Sequence, residues 1–176
     1  MTFENLHSET IYEGHTFSVE HLLTRLPDGH QKTYELVRHN ESVSIVPVDS
    51  AGQIYFVEQY RIGASQNLLE LPAGVLESDE NAVEGAGREV REETGLAAGK
   101  LLKLGEFYLA AGYSSELMHV FLATGLTPSP LKQDADEFLS VEKIPIDQAF
   151  SLAQTGNIRD AKTLAALFLA RPWIAP

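Results

Sequence analysis

Cysteine is absent from the 176 residues, which removes disulfides, thiolate nucleophiles and Cys-ligated zinc from consideration. Basic residues are scarce: 13 Lys+Arg stand against 25 Asp+Glu, a formal net charge of −12. Binding to a nucleic-acid backbone rests on Lys and Arg neutralising phosphates, so no nucleic-acid partner is expected. A phosphorylated small molecule stays compatible with the charge if metal cations lie between it and the acidic protein. Long apolar runs are also lacking. The longest, Leu164 to Ala170, falls far below the roughly 20 residues of a spanning helix. The opening MTFENLHSET has neither the basic nor the apolar region of a secretory signal. The expectation is a cytoplasmic protein with no membrane partner.

What is present reads as an ordinary globular chain, with 44% hydrophobic residues and enough length for one domain with a real core. The early part is rich in strand formers. Thr16 to Leu26 and Gln31 to Arg38 are joined by the turn Pro27-Asp28-Gly29-His30, and Val43 to Asp49 and Ile54 to Tyr60 by Ser50-Ala51-Gly52-Gln53, which predicts two successive hairpins. Leu68 to Leu71 is a short strand ending at Pro72-Ala73-Gly74. A helix is predicted over Ala82 to Thr94, because Asn81 with Glu84 makes a capping box and Gly95 is a C-terminal cap. Further strands are predicted at Gly105 to Ala110, Leu117 to Thr124 and Phe138 to Lys143, then helices at Pro145 to Thr155 and Ala161 to Arg171. The fold class is α/β (α+β), with residues 1–40 as N-terminal strands and 41–176 as the main domain.

Half of the acidic excess lies between Glu70 and Leu96, where eight acids meet two bases, a net of −6. On a helical wheel with Glu89 at zero, Glu93 falls at about +40° and Glu92 at about −60°, while Val83 and Val90 fall at about +120° and +100° and are expected to face the core. Three carboxylates on one face repel one another. They suit a hard divalent cation bound by oxygen, Mg²⁺ or Mn²⁺. Gly85 and Gly87 each weaken the helix by about 1 kcal/mol relative to Ala unless close packing explains them.

The spacing Gly74, five residues, Glu80, seven residues, then Arg88-Glu89-Val90-Arg91-Glu92-Glu93-Thr94-Gly95-Leu96 resembles the Nudix box without departure. Seven fixed positions at roughly 6% usage each give a chance match on the order of 10⁻⁹ per start site. The resemblance extends to Val57–Arg61, Leu69–Gly74, Gly112–Glu116, Asp136-Glu137 and Ile158–Thr163, which look like segments of the ADP-ribose and nucleoside-diphosphate-sugar pyrophosphatases. It implies a Nudix fold, with mixed sheets packed between helices, and Mg²⁺-dependent hydrolysis of a nucleoside-diphosphate sugar to a nucleoside monophosphate and a sugar phosphate. Glu89, Glu93 and the carbonyl of Ala73 are the implied metal ligands. Glu92 supports them, and Arg88 orients a box carboxylate. Glu137 is implied as base or extra ligand, Glu116 as a site carboxylate, and Arg61 and Arg38 as arginines against phosphate or sugar. Glu80 is expected to be structural. Glu70 is either a ligand or a hydrogen-bonded support. The resemblance also implies a homodimer built through the N-terminal strands.

One position departs from the family pattern: Ala111 precedes Gly112 where ADP-ribose-specific members carry Pro, so several nucleotide sugars are expected as substrates. Two alternatives are a pyrophosphatase for a coenzyme or dinucleoside compound and a non-catalytic ADP-ribose sensor. Other chemistries lack their motifs. Gly85-Ala86-Gly87 lies within a helix and position 90 is Val, against a dinucleotide fingerprint. The six histidines show no metalloprotease spacing, and Gly112-Tyr113-Ser114-Ser115-Glu116 lacks the closing glycine of a nucleophile elbow.

Overall fold

The computed structural model describes residues 1–132 and 138–174. The chain divides into two compact units: residues 1–41 with 108–117, and residues 42–107 with 118–176.

The first unit is an antiparallel meander of β1 (Glu4–Glu13), β2 (Phe17–Arg25) and β3 (Gln31–His39) in that spatial order. The β2–β3 turn forms as its residues require: Gly29 takes φ 89°, the His30 N–H donates to Asp28 Oδ1 at 3.1 Å, and the Leu26 N–H donates to the His30 carbonyl at 2.7 Å. Strand β1 precedes the first strand read from the sequence and is almost wholly exposed, so it lacks the one-sided apolar pattern that marks a strand. The segment 108–117 is stitched to β3. The Val37 N–H donates to the Tyr113 carbonyl at 2.8 Å, and the Ser115 N–H to the Val37 carbonyl at 3.0 Å.

The second unit contains β4 (Ser42–Pro47), β5 (Gln53–Arg61), β6 (Gln66–Glu70), β7 (Ala73–Val75), α1 (Ala82–Thr94), β8 (Leu96–Ala97), β9 (Lys100–Tyr108, its last residue in the first unit), β10 (Leu117–Thr124, its first residue likewise), β11 (Thr127–Pro128), β12 (Leu139–Pro145), α2 (Ile146–Gln154) and α3 (Ala161–Ile174). One sheet runs β7-β4-β10-β9, with β4 and β10 parallel; another runs β12-β5-β6; β8 and β11 form a small pair. All six residues of β4 are buried, as a strand covered on both faces must be. Helices α1 and α3 both pack on β4, and α2 packs on β12 and β5. Val43 and Ile45 join Phe121, Ala123, Leu76, Ala86 and Val90 in the core beneath α1.

The second expected hairpin does not form. Its turn is present, with Asp49 Oδ1 accepting from the Ala51 and Gln53 N–H groups, both at 2.9 Å. Beyond the single Val48–Ile54 bridge, however, β4 and β5 enter different sheets. The physical reason is burial. Strand β4 takes β7 and β10 on its two edges, while β5 takes β6 and β12, and a plain hairpin would spend one edge of each on the other. The strand expected from Gly105 instead runs Lys100–Tyr108. It starts early beside the Gly99–Gly125 contact and ends where the chain turns back, with the Leu109 N–H on the Glu116 carbonyl at 3.2 Å.

Helix α1 has the predicted bounds. Asn81 Oδ1 accepts from the Val83 and Glu84 N–H groups, both at 3.0 Å, Glu84 returns to the Asn81 N–H, and Gly95 closes the helix at φ 75°. Its buried residues are Gly85, Ala86, Glu89, Val90 and Glu93. Val90 faces the core as expected, but Val83, about 20° away on the wheel and in the first turn of the helix, is 53% exposed, contrary to expectation.

The two helix glycines differ in kind. A Cβ at Gly85 would collide with the Leu76 side chain, whereas one at Gly87 would sit 3.8 Å from Leu101 Cδ1 in ordinary contact. Gly87→Ala should therefore stabilise the protein by about 0.5–1 kcal/mol through helix propensity alone, while Gly85→Ala should destabilise it. Urea unfolding of the two variants checks the sign. Stabilisation by both, or by neither, would contradict the packing seen here.

Candidate active site

The site grows from the junction of β7 and α1. Glu93 is 2% exposed and Glu89 6%, unusual burial for two like charges one helical turn apart. Glu93 Oε2 accepts the Ala73 N–H at 3.0 Å, which ties the helix to the turn before β7. Gly74 supplies the space for Glu89: a Cβ there would fall inside the Glu89 carboxylate. Its φ is not positive, so the glycine serves a close approach and not the turn.

Arg88 binds this group together. Nε and Nη2 hold Glu80 at 2.9 and 2.8 Å, Nη1 holds Glu89 at 2.6 Å and Glu92 at 2.8 Å, and Nη2 also reaches the Val75 carbonyl at 3.1 Å. These bonds match the five N–H donors of a guanidinium. Hydrogen bonding to Glu80, against the opposing effect of burial, raises the Arg88 pKa, and the charge of Glu89 adds to it. The same fork holds the Glu80 carboxyl below the usual carboxylate range. Glu80 is thus engaged structurally.

A second ionic group lies at the end of β6. Glu70, 1% exposed, takes a two-pronged hydrogen bond from Arg61 at 2.8 and 2.7 Å and a short one from Lys162. Burial pushes the Glu70 carboxyl up, but the Arg61 fork and the Lys162 ammonium outweigh it, and the net displacement is downward. Arg61 is raised by its hydrogen bond to Glu70, with burial opposing and the charges of Glu70, Glu93 and Asp160 assisting. Lys162 also meets Asp160 Oδ1 at 3.0 Å. Both Glu70 oxygens are hydrogen-bonded in this arrangement. The part played by Lys162 and Asp160 was not read from the sequence. Its signs in the sequence are the family-like segment Ile158–Thr163 and, within it, Asp160 three residues before Thr163, a helix-start pattern.

The structure therefore brings together Ala73, Arg88, Glu89, Glu92 and Glu93, with Arg61 in the electrostatic reach of Glu93. Arg38 and Glu116 belong to the first unit, where Arg38 Nε donates to Glu20 at 3.0 Å and Glu116 lies 3.9 Å from His39 Nδ1. Glu137, with Asp136, lies outside the described residues. Among the described residues, no three His, Cys, Asp or Glu side chains converge on one metal-sized position. The donor set nevertheless fits a hard divalent cation: two buried carboxylates on one helix face adjoin a backbone turn, and Gly74 lets the Glu89 carboxylate lie against that turn. No helix among the described residues is long and apolar enough to cross a membrane.

Comparison with known proteins agrees with this geometry. The NUDIX domain family model matches residues 38–167. An ADP-ribose pyrophosphatase of Bacillus subtilis is 35% identical over 161 residues, covering 90% of this chain and 87% of the relative. An ADP-ribose pyrophosphatase of Mycobacterium tuberculosis is 36% identical over 170 residues, covering 94% and 81%. A crystal structure of an ADP compounds hydrolase superposes with a TM-score of 0.88 at 28% identity, covering 98% of this chain and 94% of that one. With the box intact and its carboxylates gathered at one end of α1, the chain belongs to the Nudix family.

Proposed function

We propose that the protein hydrolyses the pyrophosphate bond of ADP-ribose or a related nucleoside-diphosphate sugar, with Mg²⁺ as cofactor and Mn²⁺ as a substitute, giving a nucleoside monophosphate and a sugar phosphate. The observation that carries this reading is the pair of buried carboxylates, Glu89 and Glu93, fixed by Arg88 and by the Ala73 N–H. The names of the relatives support the substrate class.

Glu89, Glu93 and the carbonyl of Ala73 would hold the cation, which when bound supplies neutralisation of the pyrophosphate oxygens and a more acidic water. Arg88 fixes Glu89 and Glu92 in place before substrate arrives, so little reorganisation remains at the moment of reaction. The proton of the attacking water passes to Glu137 or to a box glutamate. Arg61 gives Nε and Nη2 to Glu70, which leaves guanidinium donors for a phosphate or sugar oxygen. Arg38 and Glu116, in the first unit, are proposed as substrate-binding residues from the family resemblance.

The experiment is phosphate release by a coupled phosphatase from ADP-ribose, UDP-glucose, GDP-mannose, a dinucleoside polyphosphate and a coenzyme, each with and without Mg²⁺. Mg²⁺-dependent turnover of the sugar nucleotides is the expected result, spread over several of them because Ala111 stands in the place of Pro. Turnover of the coenzyme or dinucleoside compound alone would move the assignment to that alternative.

The proposal includes a cytoplasmic homodimer. Phe3, Ile11, Tyr12 and Phe17 of the first unit are 60%, 48%, 54% and 43% exposed, a density of apolar surface that a second subunit would cover. Deleting residues 1–36 should yield a monomer or an aggregate whose KM rises sharply although every box carboxylate is retained. Light scattering with kinetics on the same samples checks this. A monodisperse monomer from the intact chain, or full activity after deletion, would defeat it.

A further inference from the structure

The turn Leu71-Pro72-Ala73 joins β6 to β7, and Pro72 has no N–H. Its two backbone donors are both committed. The Leu71 N–H donates to Thr163 Oγ1 at 2.8 Å, and the Ala73 N–H donates to Glu93 Oε2 at 3.0 Å. Between them the Pro72 carbonyl accepts the Ile45 N–H at 2.8 Å. One side of the turn thus rests on α3, the middle on β4, and the other side carries the candidate ligand carboxylate.

Thr163 is fully buried and its hydroxyl is used in both directions. It accepts from Leu71 and donates to Asp160 Oδ2 at 2.6 Å, while the same Asp160 oxygen caps α3 through the Thr163 N–H at 2.9 Å. Asp160 Oδ1 holds Lys162, which in turn holds Glu70, the residue before Leu71. Two ties therefore run from the first turn of α3, one through a hydroxyl to the turn itself and one through an ion pair to the residue just before it.

We infer that Thr163 is a positioning residue for the metal site: through the Leu71 N–H it sets the Leu71–Ala73 turn, and so the Ala73 backbone against Glu93. This rests on the proposed reading of Glu93 and Ala73 as metal ligands. Thr163 does not touch the reacting atoms. Its effect reaches them through the backbone, as groups behind metal ligands commonly do.

The test measures Mn²⁺ binding by electron paramagnetic resonance, without substrate, in the full-length protein and in Thr163→Val, Thr163→Ser and Glu93→Gln. Thr163→Val keeps the side-chain shape and removes the hydroxyl, and the expected Mn²⁺ dissociation constant rises about 10- to 100-fold. Thr163→Ser should restore binding to within about twofold, because the hydroxyl returns. In kinetics, the Mg²⁺ concentration for half-maximal rate should rise in Thr163→Val while the substrate KM at saturating Mg²⁺ stays as in the parent. Should Thr163→Val fail to fold, Asp160→Asn, which weakens the acceptor behind the hydroxyl, reads the same constant. A folded Thr163→Val, or Asp160→Asn in its place, with unchanged Mn²⁺ affinity overturns the inference alone. Mn²⁺ binding that Glu93→Gln leaves untouched overturns the metal-site reading and the inference with it.

Discussion

Glu93→Gln is expected to lower turnover by at least two orders of magnitude, a loss of about 3 kcal/mol in the barrier. The substitution preserves side-chain size, and the amide oxygen of Gln can still accept the Ala73 N–H that now reaches Glu93 Oε2 at 3.0 Å. What disappears is one negative charge in a position only 2% exposed, where a cation would be held by charge and not by water. Folding should hardly suffer, and stability should rise slightly if repulsion between Glu89 and Glu93 is relieved. Turnover at saturating Mg²⁺ and the thermal midpoint, measured on the same preparation, separate the two effects. Near-normal turnover would remove Glu93 from the metal site.

Gly74→Ala should be nearly as damaging by a different route. The added methyl occupies the place of the Glu89 carboxylate, so that carboxylate must move and its 2.6 Å bond from Arg88 Nη1 must lengthen or break. A displaced ligand of this kind costs about 10- to 100-fold in metal affinity or activity. The cost to stability should stay near about 1 kcal/mol, because what has to move is the far end of a flexible side chain. Shortening that chain tests the steric cause. If the clash is with Glu89, Gly74→Ala and Glu89→Asp should be strongly non-additive in thermal stability, the double variant losing less than the sum of the two. Wild-type activity in Gly74→Ala would show that Glu89 need not sit where it does.

The legible parts of the sequence were those whose causes are local. The bounds of α1 follow from Asn81, Glu84 and Gly95, all within or beside the helix, and the box is a matter of spacing. The wheel places Glu89, Glu93 and Val90 on the buried side correctly but not Val83, because a wheel carries angle and not depth along the axis, and Val83 lies in the first turn where the helix emerges. Of the two partners of Glu70, Lys162 is undecidable from neighbouring residues, since it is 92 residues away. The same holds for β4 and β5, which are adjacent in sequence and separated into two sheets by edges supplied from β10 and β12. In the sequence Gly74 is only the end of Pro72-Ala73-Gly74 and the first fixed position of the box, with no sign of the close approach it serves. Only the position of a side chain fifteen residues later reveals its use.

The two caps of α1 have a consequence for how this chain tolerates changes in length. Asn81 and Gly95 fix where the helix begins and ends, and Ala73 fixes the rotation at which Glu93 must arrive. One residue inserted between Ala86 and Arg88 would turn everything after it by about 100°. Gly85 and Ala86 would stay buried while the two carboxylates swung out of their stripe, and Arg88 would lose Glu80. An insertion in the exposed stretch Glu77–Asp79 leaves that phase intact but breaks the five-residue spacing from Gly74 to Glu80 and the Glu77 N–H bond to Glu80 Oε2 at 3.2 Å. Variation in the number of residues should therefore be absent from Gly74 through Gly95, even where the amino acids themselves are free to change.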